Sequence, residues 1–287
     1  MKWKSCLKFS TSSISSRAVN EVSFNRAAGI LIQDQARSGL FNMAADSYAA
    51  SWAKRVDAPI LRLYTWNCAT LSLGFHQKIS DTIRDKCTAA KVPIVRRPTG
   101  GRAVLHDNEL TYCLCLPTDH ELFKAARDDL LRQIGEIFVL AASKCGLDAD
   151  QVRVSGREMP VGEPLKKGSP LCFDSVSRWE VRLNGRKWIG SAQRFLPGVL
   201  LQHGSIILGR NSIDLATLFG LKRSAEETTD WTDDQIDIDL LRVEIPKSFS
   251  ANWNIDWETR ILDQSLATEI SDSVDSFQVI NGDDEVK

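Results

Sequence analysis

The chain has 287 residues, 43% of them hydrophobic, and a formal net charge of −1. That is enough apolar material for a sizeable core, and it excludes the global positive field that gathers nucleic acid or an anionic membrane. No apolar run reaches the roughly 20 residues of a bilayer-spanning helix, and the seven cysteines, odd in number and without a C-x-x-C pair, read as reduced thiols in a cytoplasmic protein.

Residues 1–28 read as a disordered leader, with Lys2, Lys4, Lys8 and Arg17 among many serines and no acid before Glu21. The same composition resembles an organellar transit peptide, which leaves an organellar location open. Gly39 to Ala53 has helical spacing, with Ala44, Tyr48 and Trp52 on one face. Pro59 to Tyr64 and Ala69 to Leu73 read as strands separated by a turn at Trp66-Asn67. A short apolar run, Val92 to Val95, leads into a glycine turn, and a strand follows from Glu109 to Leu116 with Leu110, Tyr112, Leu114 and Leu116 on its apolar side. Thr118 and Glu121 form a capping-box pattern for one helix whose stripe runs Leu122, Ala126, Leu130, Ile134, Phe138 and Ala141, ending at Gly146. Residues 147–170 read as a long polar loop. Asn184-Gly185 between two alternating runs is a strong hairpin signal, because a type I′ turn needs positive φ at both central residues. Val199 to Leu208 supplies a further strand. The reading is an α+β fold with a largely antiparallel or mixed β-sheet flanked by helices. It forms one domain over residues 29–265, and an acidic flexible tail covers 266–287.

Three segments carry candidate chemistry. The turn Arg96-Arg97-Pro98-Thr99-Gly100-Gly101-Arg102-Ala103-Val104-Leu105-His106 exposes backbone N–H groups between guanidinium groups, which suits an anionic or acyl-carbonyl ligand. An ordinary hairpin loop with solvated arginines fits the same residues. In the Asn-Gly hairpin a two-residue loop places Lys187 opposite Arg182 and Ile189 opposite Glu180, so Glu180 is a diagonal neighbour of Lys187. That lysine is either half of a weak exposed ion pair or an ammonium beside Gly190-Ser191-Ala192-Gln193, where a ligand can lie against the backbone. Cys172, between Pro170 and Phe173 at the end of the long loop, is either a reactive thiol near cations or a small buried hydrophobe. His106 and His203 lack metal-like spacing with the cysteines, so no metal site is expected and both read as hydrogen-bonding or packing residues.

Together these blocks resemble the biotin/lipoate protein ligase superfamily. They are Arg96 to Asp107, Asn184-Gly185-Arg186-Lys187, Ile189-Gly190-Ser191-Ala192-Gln193 and Gln202-His203-Gly204-Ser205-Ile206, with Asn42-Met43-Ala44 and Asp46 matching a first helix. The resemblance spans roughly residues 30–210 and implies a catalytic domain related to that of class II aminoacyl-tRNA synthetases. Leu171-Cys172-Phe173-Asp174 followed by Ser177-Arg178-Trp179-Glu180 resembles the octanoyltransferase branch, in which the cysteine carries the acyl group. ATP-dependent lipoate–protein ligases typically lack that cysteine, and cofactor-free lipoyl transferases place theirs after the lysine. Trp179 stands where a tyrosine is usual, and Ala45-Asp46-Ser47-Tyr48 departs from the usual acidic-aliphatic run.

What the resemblance implies is an N-octanoyltransferase with Cys172 and Lys187 catalytic. Arg97, Gly100, Gly101, Arg102, His106, Gly190, Ser191, Ala192, His203 and Gly204 are then expected to bind substrate. Acyl carrier protein is the implied donor, and the lipoyl domains of glycine cleavage H protein or a 2-oxoacid dehydrogenase E2 are the implied acceptors. No cofactor is implied, with ATP and Mg required only by the ligase alternative. Arg96, Arg97 and Arg102 would help dock the acidic partners, Leu71, Val104 and Ile189 are candidates for the acyl tunnel, and the chain is expected to act as a monomer. The alternatives are an ATP-dependent lipoate–protein ligase, an amidotransferase between lipoyl domains, and a non-catalytic acyl-binding protein.

Overall fold

The computed structural model describes residues 27–126, 129–148, 150–156, 179–221, 236–271 and 274–278. β1 (Ala27–Arg37) leads into α1 (Gly39–Val56), whose N-cap Ser38 accepts a bond from the Phe41 N–H. β2 (Ile60–Trp66), β3 (Thr70–Leu73), α2 (Asp81–Ala89), β4 (Ile94–Arg96), β5 (Val104–His106) and β6 (Glu109–Pro117) follow. Then come α3 (Glu121–Ala126), α4 (Leu130–Lys144), β7 (Val152–Val154), β8 (Val181–Leu183), β9 (Arg186–Leu196) and β10 (Val199–Ile207). Among the described residues α5 (Leu215–Phe219), α6 (Ile238–Trp253), β11 (Ile255–Arg260), α7 (Gln264–Ser271) and a short 3-10 turn (Val274–Phe277) follow.

The fold is α+β with a mixed sheet. Eight strands run in the order β11-β1-β2-β6-β10-β9-β8-β7, and a small sheet runs β4-β3-β5. β1 pairs in parallel with β2 and β11, whereas β2, β6, β10, β9, β8 and β7 pair antiparallel in turn. Strand alternation splits the core between two faces. Leu61, Leu63, Leu110, Tyr112 and Leu114 join Ile134 and Phe138 of α4 and Ile245 and Phe249 of α6. On the opposite face Ile60, Tyr64, Cys113, Cys115 and Leu201 meet the alanine-rich side of α1. The buried stripe of α1 is Asn42, Asp46, Ala49 and Ala53, which includes two polar residues. Tyr48 and Trp52, expected at its centre with Ala44, lie half-buried at its margin.

Two expectations are corrected. The single helix expected from 122 to 141 is two: α3 starts with the Leu122 N–H bonded to Nδ1 of His120 rather than to Thr118, and α4 starts after Asp129. Asp129 is the N-cap of α4 and its carboxylate accepts from Arg132, so a residue type that favours helix starts stands at the break. Gly146 does end the second helix, at φ +88°, with the Leu147 N–H bonded to the Ala142 carbonyl. The expected tail from 266 onward also packs in part: Ile270 is 1% exposed, and Leu266, Ala267, Val274 and Phe277 cover the same core as α1. Sparse apolar residues at helical spacing outweigh the acidic composition there. Replacing Ile270 with alanine is expected to cost about 2–4 kcal/mol, as truncation of a packed aliphatic side chain does. Urea denaturation checks this, and a freely solvated segment would show no change.

Candidate acyl-transfer site

On the α1 face two rows of residues cross the sheet in register. Arg62 of β2, Cys113 of β6, His203 of β10 and Ala192 of β9 form one, and Tyr64, Thr111, Ser205 and Gly190 form the next. Lys187 reaches the same face through a β-bulge. The Asn184-Gly185 turn has φ +50° and +78°, as expected of type I′, and Lys187 pairs with Arg182. The register then slips, so Ile189 pairs with Val181 instead of the expected Glu180. Trp188 and Ile189 both enter the core behind the sheet, and Trp188 donates its indole N–H to the Ile207 carbonyl at 2.8 Å. A bulge reverses the alternation, so Lys187 shares a face with Gly190 rather than with Ile189. There Nζ of Lys187 lies 2.6 Å from Oε1 of Glu180, both side chains being nearly buried. This is a buried pair, not the exposed one of the ordinary reading.

The sequence-predicted residues Arg97, His106, Gly190, Ser191, Ala192, His203 and Gly204 line one pocket, with Met43, Tyr64 and Val104 adding apolar wall. Leu71 is sealed into the core under the small sheet, and Ile189 lines a separate cavity of about 140 Å³ behind the main sheet, beside α4. Of the three tunnel candidates only Val104 meets this pocket.

Gly100, Gly101 and Arg102 form the turn between β4 and β5. Gly101 has φ +98°, and a methyl group on Gly74 would collide with the Gly101 carbonyl, so this close approach requires glycine at 74. The arginines do not act as expected. Nη2 of Arg97 donates to the carbonyls of Gly100 at 2.9 Å and Arg102 at 2.6 Å, and Nη1 donates to the Ser72 carbonyl and hydroxyl. Arg96 donates to the carbonyls of Gly74, Phe75 and Gln77. Both guanidinium groups staple the turn, because buried carbonyls without a strand partner need donors. Docking of acidic partners by Arg96 and Arg97 is therefore corrected to a scaffolding role. Arg102 retains a buried Nη1 with no hydrogen-bond partner.

His106 stacks on Trp66 at 4.1 Å, and its ring nitrogens meet Ser72 and Glu109. His203 has Nε2 2.6 Å from the Thr99 hydroxyl and Nδ1 3.0 Å from the Asp46 carboxylate. A carboxylate only accepts, so Nδ1–H donates to Asp46 and Nε2 accepts from Thr99. Asp46 also accepts from the Tyr64 hydroxyl and from Arg62, both at 2.8 Å. Burial pushes His203 below the usual histidine range although Asp46 opposes it. Burial would raise Asp46, but its bonds to His203, Arg62 and Tyr64 hold it below the usual carboxylate range. Sequence reasoning missed Arg62, Tyr64, Thr99 and Arg194; the last donates to the Pro98 carbonyl at 2.7 Å and ties the turn to β9. A charged residue inside the apolar strand Ile60–Trp66 was the available signal for Arg62.

Beyond Ile189, β9 pairs only with β10 among the described residues. Alternate N–H groups from Gly190 onward therefore lie outside that ladder, where they can meet an acyl oxygen. Cys172 lies outside the described residues.

This pocket and fold define a class. The family model for the lipoyl protein ligase A/B catalytic domain matches residues 38–235, and the chain belongs to that family. Within it, octanoyltransferase LipM of Clostridioides difficile is 35% identical over 79% of this chain and 88% of its own length. The LipM of Bacillus subtilis is also 35% identical, over 79% and 87%. Among solved structures, a lipoate protein ligase from Thermoplasma acidophilum with bound lipoic acid superposes with TM-score 0.62 at 23% identity, covering 85% of this chain and 95% of its own. A lipoate-protein ligase A bound with ATP gives the same TM-score of 0.62 over 86% of this chain and 95% of its own.

Two outcomes are expected. The depressed His203 binds fewer protons in the fold than in the unfolded chain, so the stability it contributes is present above its usual 6.5 and is lost as pH falls through its lower folded value. Thermal denaturation across that window should show falling stability, and His203→Gln should flatten the dependence; an unchanged slope would contradict the assignment. Gly74→Ala should displace Gly101 and cost about 1–3 kcal/mol, read by chemical denaturation.

Proposed function

We propose that this chain transfers an octanoyl group from a thioester to Cys172 and from there to a lysine of a lipoyl domain. That it is an octanoyltransferase, and so an acyltransferase, rests on the octanoyltransferase relatives at 35% identity over most of the chain. The observation that carries the mechanism is the bulge that brings Lys187 to the face holding Gly190 and His203.

In the first half-step the Cys172 thiolate attacks the donor's carbonyl carbon, the carbonyl–sulfur bond of the donor breaks, and the donor leaves as a thiolate that takes up a proton. In the second, a neutral lysine ε-amine of the acceptor attacks the Cys172 thioester, the cysteine leaves as thiolate, and the nitrogen loses a proton to give an amide. Neither half-step consumes ATP, since a thioester lies above an amide in free energy. Lys187 orients the acyl carbonyl, with Glu180 fixing its Nζ. The N–H groups of β9 from Gly190 onward stabilise the tetrahedral oxyanion. Met43, Tyr64 and Val104 receive the start of the octanoyl chain.

Octanoyl-acyl carrier protein is the donor in this reading. Lipoyl domains are the acceptors, and one fold neighbour at TM-score 0.60 was determined as a bipartite lipoate protein ligase and its E2 lipoyl domain. Incubation with octanoyl-acyl carrier protein without ATP should add one octanoyl group by intact mass, removable with hydroxylamine and abolished in Cys172→Ala. No adduct would overturn the reading, and ATP-dependent lipoylation retained in Cys172→Ser would favour a ligase. Lys187→Gln should lower kcat by about 100-fold, the size of effect expected when a group that positions the reacting carbonyl is lost.

A further inference from the structure

The strands that carry Lys187 also carry a charge pattern that folding alone does not favour. Arg153 of β7 is the direct register partner of Arg182 of β8, and Arg182 is the direct partner of Lys187 of β9. Val152, Val181 and Leu183 face the core behind the sheet, so alternation puts all three cations on the other face, the one that holds the site. Like charges directly opposite each other destabilise a sheet. Lys187 is relieved by Glu180 at 2.6 Å, and Arg153 meets Asp150 at 3.4 Å on the surface, a contact worth little.

Arg182 has no such relief. It makes no ion pair among the described residues; its Nη1 donates to the Gly185 carbonyl at 3.4 Å, and its Nε is buried without a hydrogen-bond partner. An uncompensated guanidinium beside an exposed one is a costly arrangement for stability. It becomes favourable once an anion bridges the two, because planar guanidinium groups bind phosphate oxygens through charge-assisted bonds.

We infer that Arg153 and Arg182 form a seat for a phosphate ester on the arm of the acyl donor. This rests on the proposed reading that the donor is a thioester. One strand spacing, about 5 Å between backbones, separates Arg182 from Lys187. A phosphate held there anchors the donor's arm beside the site while leaving Lys187 to the acyl carbonyl. The arm can belong to a carrier protein or to free coenzyme A, since both present a phosphate ester joined to a thiol by the same kind of chain. Arg96 and Arg97 of the glycine turn cannot fill this place, because they are bound to backbone carbonyls.

The test compares wild type with Arg182→Gln, and with Arg153→Gln as a second, exposed variant. The substrates are octanoyl-carrier protein, octanoyl-coenzyme A, and an octanoyl thioester of N-acetylcysteamine, which has no phosphate. Arg182→Gln should lose about 10- to 100-fold in kcat/KM on phosphate-bearing donors, the loss expected when one hydrogen bond to a charged group is removed. The phosphate-free thioester should not share that loss. A loss on the carrier protein alone would assign the seat to the carrier-borne arm, and a loss on both phosphate donors to the phosphate ester itself. Binding of coenzyme A by calorimetry, with pantetheine as the phosphate-free probe, reads the seat without turnover. Equal losses on all donors, or coenzyme A binding unchanged in both variants, would overturn the inference. Coenzyme A binding that depends on Arg182 in a chain that transfers nothing would keep the seat and reject the acyltransfer reading.

Discussion

The arrangement depends on one guanidinium held without water. Arg62 sits in the middle of the sheet with no exposed surface, bonded to Asp34, to Asp46 and to the Asn42 side chain, each at 2.8 Å, and stacked over the Tyr64 ring at 3.8 Å. A buried ion is tolerable only when its donors are nearly all used, and removing one partner of such a group costs about 3–5 kcal/mol. Those bonds bind β1, α1 and β2 into a unit. They also set the orientation of Asp46, which in turn holds His203, which holds Thr99 at the base of the glycine turn. The turn is thus positioned from beneath by a charge that never meets a ligand.

The site therefore has two kinds of wall. The sheet side is rigid, built from residues in strict register, with Lys187 delivered by a bulge that costs one residue of pairing. The turn side is irregular backbone whose carbonyls are capped by Arg96 and Arg97 and tied to β9 by Arg194. Placing Arg96 and Arg97 of a conspicuous motif in structural bonds leaves substrate recognition to their neighbours. In the proposed reading backbone N–H groups take the acyl oxygen, apolar side chains take the tail, and cations on a different pair of strands take the charge.

Features that depend on local chemistry were legible in the chain. Asn184-Gly185 specifies its own turn, Gly146 ends a helix, and Leu110, Tyr112, Leu114 and Leu116 mark one face of β6. The glycine turn, Lys187, Gly190 to Ala192 and His203 were singled out because their types and order recur as blocks, and of these Gly190 to Ala192 and His203 meet in one pocket. Features set by tertiary contact were not. The bulge at Trp188 is invisible to a period-two pattern, since a single slipped residue changes no local preference. Asp46 shows in the sequence only as part of a block and Arg62 only as a charge in an apolar strand, and their bond appears once the strand and helix carrying them are packed together. α7 was hidden because its apolar residues are few and its surroundings acidic. The role of Cys172 was read from its neighbours in sequence, and the fold adds nothing to that.

The pairing of β1 with β11 has a consequence for how the molecule is made. β1 starts the described residues, and among them its outer edge is covered by a strand near the far end, so the two meet across nearly the whole sequence. During synthesis the residues of the pocket, which lie on α1, β2, β5, β6, β9, β10 and the glycine turn, are all made before the strand that closes that edge. Until β11 is made, β1 lacks its partner on that side, and an unpaired strand edge is the kind of surface most prone to pairing with another molecule. The exposed interval of its biogenesis thus outlasts the synthesis of the pocket's residues, and it ends when Ile255 to Arg260 is added.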